Sequence, residues 1–468
     1  MLDVSRDEIT NGSLVRALVL LAVPLVAQNL VQVAQQIVDI FWLGRLGETA
    51  VAAVGVNIPL TSLIFSVFMI TVTGTQVLVS QRVGADELSR ARRAVFHGMS
   101  LAFALGITMT VLVFVFGRDI IALFGAESAV ASAAVTYLVT YSLGFPILGM
   151  GDAIEMGFVG WGDSRAALYI NVVAVGINIV LDPILIFGLG IPGFEGFGIA
   201  GAALATILGY GCSSLFGLGM MIRGRDGFTL TREAMTFRLS DFRELFDIGL
   251  PMFGQRAAAQ SVRVLIIAVV TAAGGPAAVS AYTIGASVAS IAFIPASGLQ
   301  SAAQSVIGQN IGAENPMRAS RTTWVGVAIA AVGLSVIGVI QWFIPGMLTN
   351  LFVPNVSQAT YDLTVDYLRI LAYGYWGIGV MYLLGAGFNG ASRTKTTMVA
   401  DMVKYWGIRL PIAAVGVLWL GYDVHAVFWA VTLSNCVAAV GFGIYYYFQV
   451  SDGMTRRASR SANSSVDD

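Results

Sequence analysis

Apolar stretches of about 20 or more residues recur along this chain from one end to the other, and each is long enough to cross the hydrocarbon core of a bilayer. Inside that core no water is present to satisfy backbone N–H and C=O groups, so runs of this length must fold as helices. The pattern predicts twelve of them, over 14–42, 50–81, 94–116, 128–160, 165–189, 197–222, 242–272, 277–307, 321–345, 358–390, 395–420 and 424–449. Only 11% of residues are charged, against about a quarter in a soluble domain. The 53 glycines suit helices that approach closely in lipid. The first apolar run starts near Leu14 and continues past Trp42, too long for the apolar region of a signal peptide, and it reads as a span. Cys212 and Cys436 both fall in predicted spans and read as apolar packing. A net charge of -1 gives no sign of a nucleic-acid partner.

Lys and Arg set the expected orientation, because they accumulate in cytoplasmic loops. With the amino terminus inside, the segments 1–16, 82–93, 163–165, 223–243, 309–321, 393–395 and 451–468 hold 19 of the 26 cations. The outside loops hold only Arg45 and Arg118, and both termini are expected to be cytoplasmic. The chain also repeats itself. A shift of 228 residues lays Gln81, Gly84, Ala85, Arg90 and Ala91 on Gln309, Gly312, Ala313, Arg318 and Ala319. The same shift lays Ser164 on Ser392, Arg165 on Arg393, Pro183 on Pro411 and Gly188 on Gly416, and Pro24 meets Pro251 at 227. Six spans per repeat return the chain to its starting side, which makes parallel repeats about the membrane normal, a transporter plan. The expected fold is therefore all-α, a polytopic membrane protein with twelve transmembrane helices in two pseudo-symmetric six-helix bundles. The expected domains are an amino-terminal lobe over 1–222, a cytoplasmic linker over 223–241, a carboxy-terminal lobe over 242–450 and a disordered tail over 451–468.

Ionisable residues within spans are costly and mark ion or substrate pathways by default. Asp39 lies in IVDIFWLG of the first span and Asp182 in INIVLDPILIFG of the fifth, at similar depth toward the outer side. Asn178 stands four residues before Asp182, on the same helical face. Two carboxylates close together in a low dielectric cannot both ionise cheaply. Such a pair holds a proton near neutral pH, or chelates a hard cation such as Na+ with Asn178 supplying an oxygen; a static hydrogen-bonded pair is the structural alternative. Gln28, Gln32, Gln35, Gln36 and Asp39 share one face of the first span, which lines a cavity or bonds to neighbouring helices. Pro24 within the same helix removes a backbone bond and marks a hinge. Glu155 sits about 15 Å inside the fourth span at ~1.5 Å per residue and joins the cavity wall, with Asp152 a weaker candidate.

In the second half the sign reverses. Arg256, Gln260 and Arg263 share a face of the seventh span, and Arg263 is a candidate for the substrate cavity. Asp401 and Lys404 stand at i, i+3, with Arg409 beyond. The positions equivalent to Asp39 and Asp182 are Ile266 or Ile267 and Leu410. The chain has no phosphate-binding loop, zinc-ligand cluster or nucleophile elbow, so it reads as neither an enzyme nor an ATP-driven pump, and no cofactor is expected beyond H+ or Na+ as coupling ion. His97 and His425 sit at span ends and read as helix caps.

The two-lobe plan, Pro24 in the first span, LDPILIFG in the fifth, and GDSR and ASRTK after the fourth and tenth resemble the multidrug and toxic compound extrusion (MATE) family over residues 10–450. That family belongs to a superfamily that also exports lipid-linked oligosaccharides and polysaccharides. Asp39, Asn178 and Asp182 resemble the amino-lobe cation site of the prokaryotic branch of DNA-damage-inducible exporters, and Thr206 in GAALAT resembles that branch's sixth-span threonine. Glu155 falls where that branch often has an amide. The sodium-coupled NorM-like branch carries acids in the seventh and tenth spans, and this chain has none there past their first turns. The resemblance implies antiport of small organic, often cationic, compounds against H+ or Na+; a monomer in the cell membrane is expected. The alternative is a flippase for a lipid-linked sugar, which cations in both lobes would favour and the acids of the first lobe oppose.

Overall fold

The computed structural model describes residues 6–125, 127–353 and 357–464, and these contain helices and no strand. Eight described helices are long and apolar enough to cross a membrane: Leu14–Leu46, Glu48–Gly84, Leu88–Ala122, Ser164–Phe187, Ile199–Ile222, Leu239–Ala292, Pro316–Phe343 and His425–Ser451. Two further crossings are bent pairs. Ser128–Ser142 meets Phe145–Trp161 at 53°, and Gln358–Ala372 meets Tyr375–Gly390 at 52°. The 54 residues of Leu239–Ala292 would reach about 80 Å if straight, far beyond a hydrocarbon core of about 30 Å. Gly275 divides them, with φ 61° and ψ −153°, a conformation that a side chain would strain. The second piece continues into Ile294–Gly312. The eleventh crossing is assembled from Thr394–Met402, a π-helical segment Val403–Arg409, Leu410–Ala414 and a second π-helical segment Val415–Trp419. Counted this way, the described residues make twelve crossings of a multi-pass helical membrane protein.

The residues fall into two compact units, Val23–Phe253 and Met1–Ala22 together with Gly254–Asp468. These bounds differ from those expected at 222 and 242, and the side chains show why. The connection after the sixth span is fastened to the first of these units. Arg225 Nε lies 2.5 Å from Asp163 Oδ2, Trp161 stacks on Phe228 at 4.5 Å, and the Arg238 N–H donates to His97 Nε2 at 3.0 Å. Arg82 pairs with Asp241 at 3.2 Å. At the amino terminus, Ile9 is buried, and Arg318 donates to the carbonyls of Ile9 and Gly12 at 3.0 and 2.7 Å. That contact draws the first residues into the other unit. The tail expected to be disordered over 451–468 contains a helix, Met454–Ser464, while 465–468 lie outside the described residues. Its apolar side supplies the reason: Met454 is buried, and Ser459 Oγ donates to the Ile311 carbonyl at 2.7 Å.

Candidate functional site

The polar stripe of Leu14–Leu46 faces the fourth, fifth and sixth spans of its own unit, one contact per level. Lowest, Gln28 Nε2 donates to Glu155 Oε1 at 2.5 Å. Above it, Gln35 Nε2 donates to Asn178 Oδ1 at 3.0 Å. At the top, the carboxyls of Asp39 and Asp182 lie within hydrogen-bond reach of each other. Gln32 is half-buried without a hydrogen-bond partner among the described residues, and Gln36 is exposed. Pro24 sits one turn before Gln28, inside an otherwise continuous helix.

Asn178 is the hub. It is 0% exposed and Asp182 2%, so their polar atoms need partners within the protein. Asn178 Nδ2 points toward Asp182 Oδ1 at 3.3 Å and Thr206 Oγ1 at 3.4 Å, and Thr206 in turn donates to the Ala202 carbonyl at 3.1 Å. This close meeting of fifth and sixth spans depends on Gly209. A Cβ there would fall 2.6 Å from the Ala174 carbonyl oxygen and 3.2 Å from Asn178 Cβ. Tyr210, one residue on, donates its hydroxyl to Gln35 Oε1 at 3.2 Å. The bonds therefore run in one direction, from Tyr210 to Gln35 to Asn178 to Asp182.

That direction bears on the cation. Asn178 turns its amino group, not its carbonyl, toward Asp182, which suits a carboxylate oxygen or a shared proton. For Asn178 to offer an oxygen to Na+, both amides must turn over together. The Tyr210 hydroxyl permits this, because it can accept as readily as it donates. Beyond Asn178, Asp39 Oδ1 and Asp182 Oδ2 are buried and have no hydrogen-bond donor among the described residues. Two carboxyls placed so close hold together when they share a proton or flank a cation, and repel when both are bare.

Tyr137 lies close enough to both Asp39 and Asp182 to sense their charge, and it stacks on Tyr141 at 5.7 Å. Tyr210 senses Asp152, Glu155 and Asp39, and so connects the lower acids to the upper pair. Gln28 and Asn178 donate to two of the span acids, Glu155 and Asp182. Among the described residues, none of Asp39, Asp152, Glu155 and Asp182 forms an ion pair with Lys, Arg or His, unlike Asp163 and Asp241 near the span ends. Arg263 does not join this group; it belongs to the other unit, near Tyr282 and Tyr367. The tyrosines are the members that sequence reasoning overlooks. Their signal is the i, i+4 spacing of Tyr137 with Tyr141 and of Thr206 with Tyr210.

Comparison with known proteins adds a second line. A family model described as MatE matches residues 24–184 and 251–415, two stretches that begin at Pro24 and Pro251. The probable multidrug resistance protein YpnP of Bacillus subtilis (strain 168) is 27% identical over 416 residues, spanning 88% of this chain and 91% of the relative. A protein named FAD transporter from Shewanella oneidensis is 25% identical over 414 residues, spanning 88% and 89%. A crystal structure described as MATE in the bent conformation superposes with a TM-score of 0.89 at 22% identity, covering 97% of this chain and 99% of that one. At that identity the likeness concerns the fold.

Proposed function

The chain belongs to the MatE family, and on that premise we propose that it is a secondary active multidrug exporter, moving organic and often cationic compounds out of the cell in exchange for H+ or Na+ by alternating access. It is a transporter and not an enzyme, and needs no cofactor. The observation that carries the reading is the set of Asp39, Asp182, Asp152 and Glu155 inside spans of one unit, none of them in an ion pair with Lys, Arg or His among the described residues. A low-dielectric interior with that charge attracts whatever positive species fits: a proton, Na+ or an organic cation.

Exchange follows from competition for one negative field. With Asp39 and Asp182 bare, the unit favours an organic cation near Gln28, Gln32, Gln35 and Glu155. A proton or Na+ at the pair discharges that field and lets the first span pack against the fifth, which disfavours the cargo. An ion shifts a conformational balance only by binding the two forms unequally. Pro24 is where such a difference is expressed, since the helix already lacks a backbone bond there. The orientation we propose places both termini in the cytoplasm, as the 19-to-2 distribution of cations supports. The flippase reading is the weaker one, because a pyrophosphate would meet four acids in the first half.

Counterflow of ethidium in inverted vesicles tests the proposal. Uptake is expected under an imposed pH gradient, or failing that under a Na+ gradient. Uptake that responds to neither gradient but requires ATP would contradict it.

A further inference from the structure

In the unit formed by Met1–Ala22 and Gly254–Asp468, a cavity of about 550 Å³ opens beside the short helix Pro345–Phe352, which joins the ninth and tenth spans. Three polar side chains line it, Asn350, Tyr361 and Arg369. None has a hydrogen-bond or ion-pair partner among the described residues. All three can donate, and no carboxylate lines the space. The two acids on the helix of Tyr361 and Arg369, Gln358–Ala372, are engaged elsewhere. Asp366 Oδ2 lies 3.2 Å from His425 Nε2, and Asp362 Oδ1 accepts from Gln358 Nε2 at 2.9 Å. Gly346 lets the tyrosine come close: a Cβ there would fall 2.2 Å from the Tyr361 hydroxyl oxygen and push the ring aside.

The other walls are apolar. Phe343, Met347 and Val365 line the cavity, and Phe343 and Met347 are exposed. Met347 and Leu351 stand at i, i+4 on the open side of Pro345–Phe352, while Pro345 and Thr349 are buried. A helix with an open apolar face suits the boundary between headgroups and acyl chains. Aromatic residues mark the same level independently. Trp342 ends the ninth span, and Trp429 lies in the first two turns of the twelfth. Trp342 Nε1 donates to the Tyr373 hydroxyl at 3.1 Å, and the Tyr373 ring stacks on Trp429 at 6.1 Å. All three are exposed, and Trp and Tyr gather where a bilayer meets water. The Arg369 guanidinium lies 5.9 Å from the centre of the Trp342 ring, so it shares that level. An unpaired guanidinium at headgroup depth suits a phosphate, to which its fork donates two parallel bonds.

We propose that Arg369, Tyr361 and Asn350 hold the phosphodiester of one phospholipid, with an acyl chain running over Phe343 and Met347. The Arg369 fork pairs with the phosphate oxygens, and the tyrosine hydroxyl and asparagine amide donate to the headgroup. Bound there, the lipid joins the end of the ninth span to the first half of the tenth. Its placement in the outer leaflet rests on the orientation proposed above; the binding itself does not.

Native mass spectrometry of the purified, delipidated full-length protein tests it, by titration with phosphatidylglycerol, with diacylglycerol of the same chains and with inorganic phosphate. One saturable phosphatidylglycerol adduct is expected in wild type, about tenfold or more tighter than any diacylglycerol adduct. Arg369→Gln should weaken it about tenfold or more, the scale of a lost charge-assisted hydrogen bond. Arg369→Lys should retain part of the affinity, because the charge remains and the fork does not, and Tyr361→Phe should weaken it a few-fold. Arg118→Gln removes a cation from an outer loop of the other unit and should leave the adduct unchanged. Unchanged thermal unfolding of the lipid-free variants certifies their folding. Four results overturn the proposal: no saturable adduct, equal affinity in wild type and Arg369→Gln, an equal loss in Arg118→Gln and Arg369→Gln, or displacement of the lipid by inorganic phosphate at matching concentration.

Discussion

Asp86 and Glu314 stand 228 residues apart, and both adopt a left-handed backbone, with φ 66° and 58°. Each follows a helix that ends at a glycine, Gly84 or Gly312, and precedes one that begins at Leu88 or Pro316. The bent crossings of the two halves agree to within a degree, 53° and 52°. Within this shared backbone the chemistry diverges. Asp39 and Asp182 are matched by Ile266 or Ile267 and Leu410, while Arg263 and Arg409 have no basic counterpart in the first half. Even the helices that carry them differ. Ser164 to Pro183 and Ser392 to Pro411 have the same residue count, yet the first is α-helical throughout and the second is π-wound over Val403–Arg409. A π turn spreads more residues around the helix, so equal sequence spacing no longer means equal facing. Helix ends and bends keep the fold symmetric, and the residues between them are free to take opposite signs.

If coupling resides in the first half alone, Asp39→Asn and Asp182→Asn should each reduce gradient-driven ethidium export to background while the protein still elutes as a folded species. Leu410→Asp, which places an acid at the equivalent point of the second half, should not restore export to Asp182→Asn. Export at the wild-type rate by either asparagine variant removes the asymmetry.

The two equivalent prolines offer a second contrast. Pro24→Ala should slow export several-fold by restoring the helix bond that the hinge lacks, and Pro251→Ala should have little effect. Spin labels at the outer end of the first span and on the fifth should report a distance that changes between high and low pH in wild type and stays fixed in Pro24→Ala. A distance insensitive to pH in wild type speaks for lobes that move rigidly.

The hydrogen-bond relay comes next. Asn178→Ala should weaken coupling less than either aspartate variant, because it removes an orienting donor and leaves both charges. Tyr210→Phe removes only the hydroxyl that orients Gln35, a loss of about 1 kcal/mol or about fivefold in coupling. An effect of Tyr210→Phe as large as that of Asp182→Asn would place the tyrosine among the essential groups. The smallest change should come from Asp163→Ala. Asp163 caps the fifth span through the Ala166 N–H at 3.0 Å and holds Arg225, whereas its repeat position is already Ala391. The variant should cost about 1 kcal/mol of stability in thermal unfolding and leave coupling unchanged.

Much of this organisation is readable from the residues. Span number follows from apolar run length, and the repeat from a fixed offset of Gly, Arg and Pro. Gln28, Gln35, Asp39, Asn178 and Asp182 stand out because amides and acids are rare in lipid, and the structure brings these five into contact with their neighbours. Tyr137, Tyr141 and Tyr210 do not stand out, since a tyrosine in an apolar span looks like packing until its hydroxyl is placed. The π winding is hidden for a different reason: it changes the hydrogen-bond pattern without changing the residue count. The polar composition of the tail hides the helix Met454–Ser464, because burial of a few residues such as Met454 and Ser459 decides it.

Proton release on cargo binding tests the claim that the first half alone exchanges ion for cation. With the purified protein in weakly buffered detergent, tetraphenylphosphonium is added and the pH followed with a soluble indicator. For a proton-coupled protein, wild type and Arg409→Gln should release protons in saturable proportion to bound cation, and Asp39→Asn and Asp182→Asn should release none. In a sodium-coupled protein, the same pattern should appear as displacement of bound radioactive Na+. Release from the two asparagine variants at the wild-type level, or its loss in Arg409→Gln with the acid pair intact, would contradict the account.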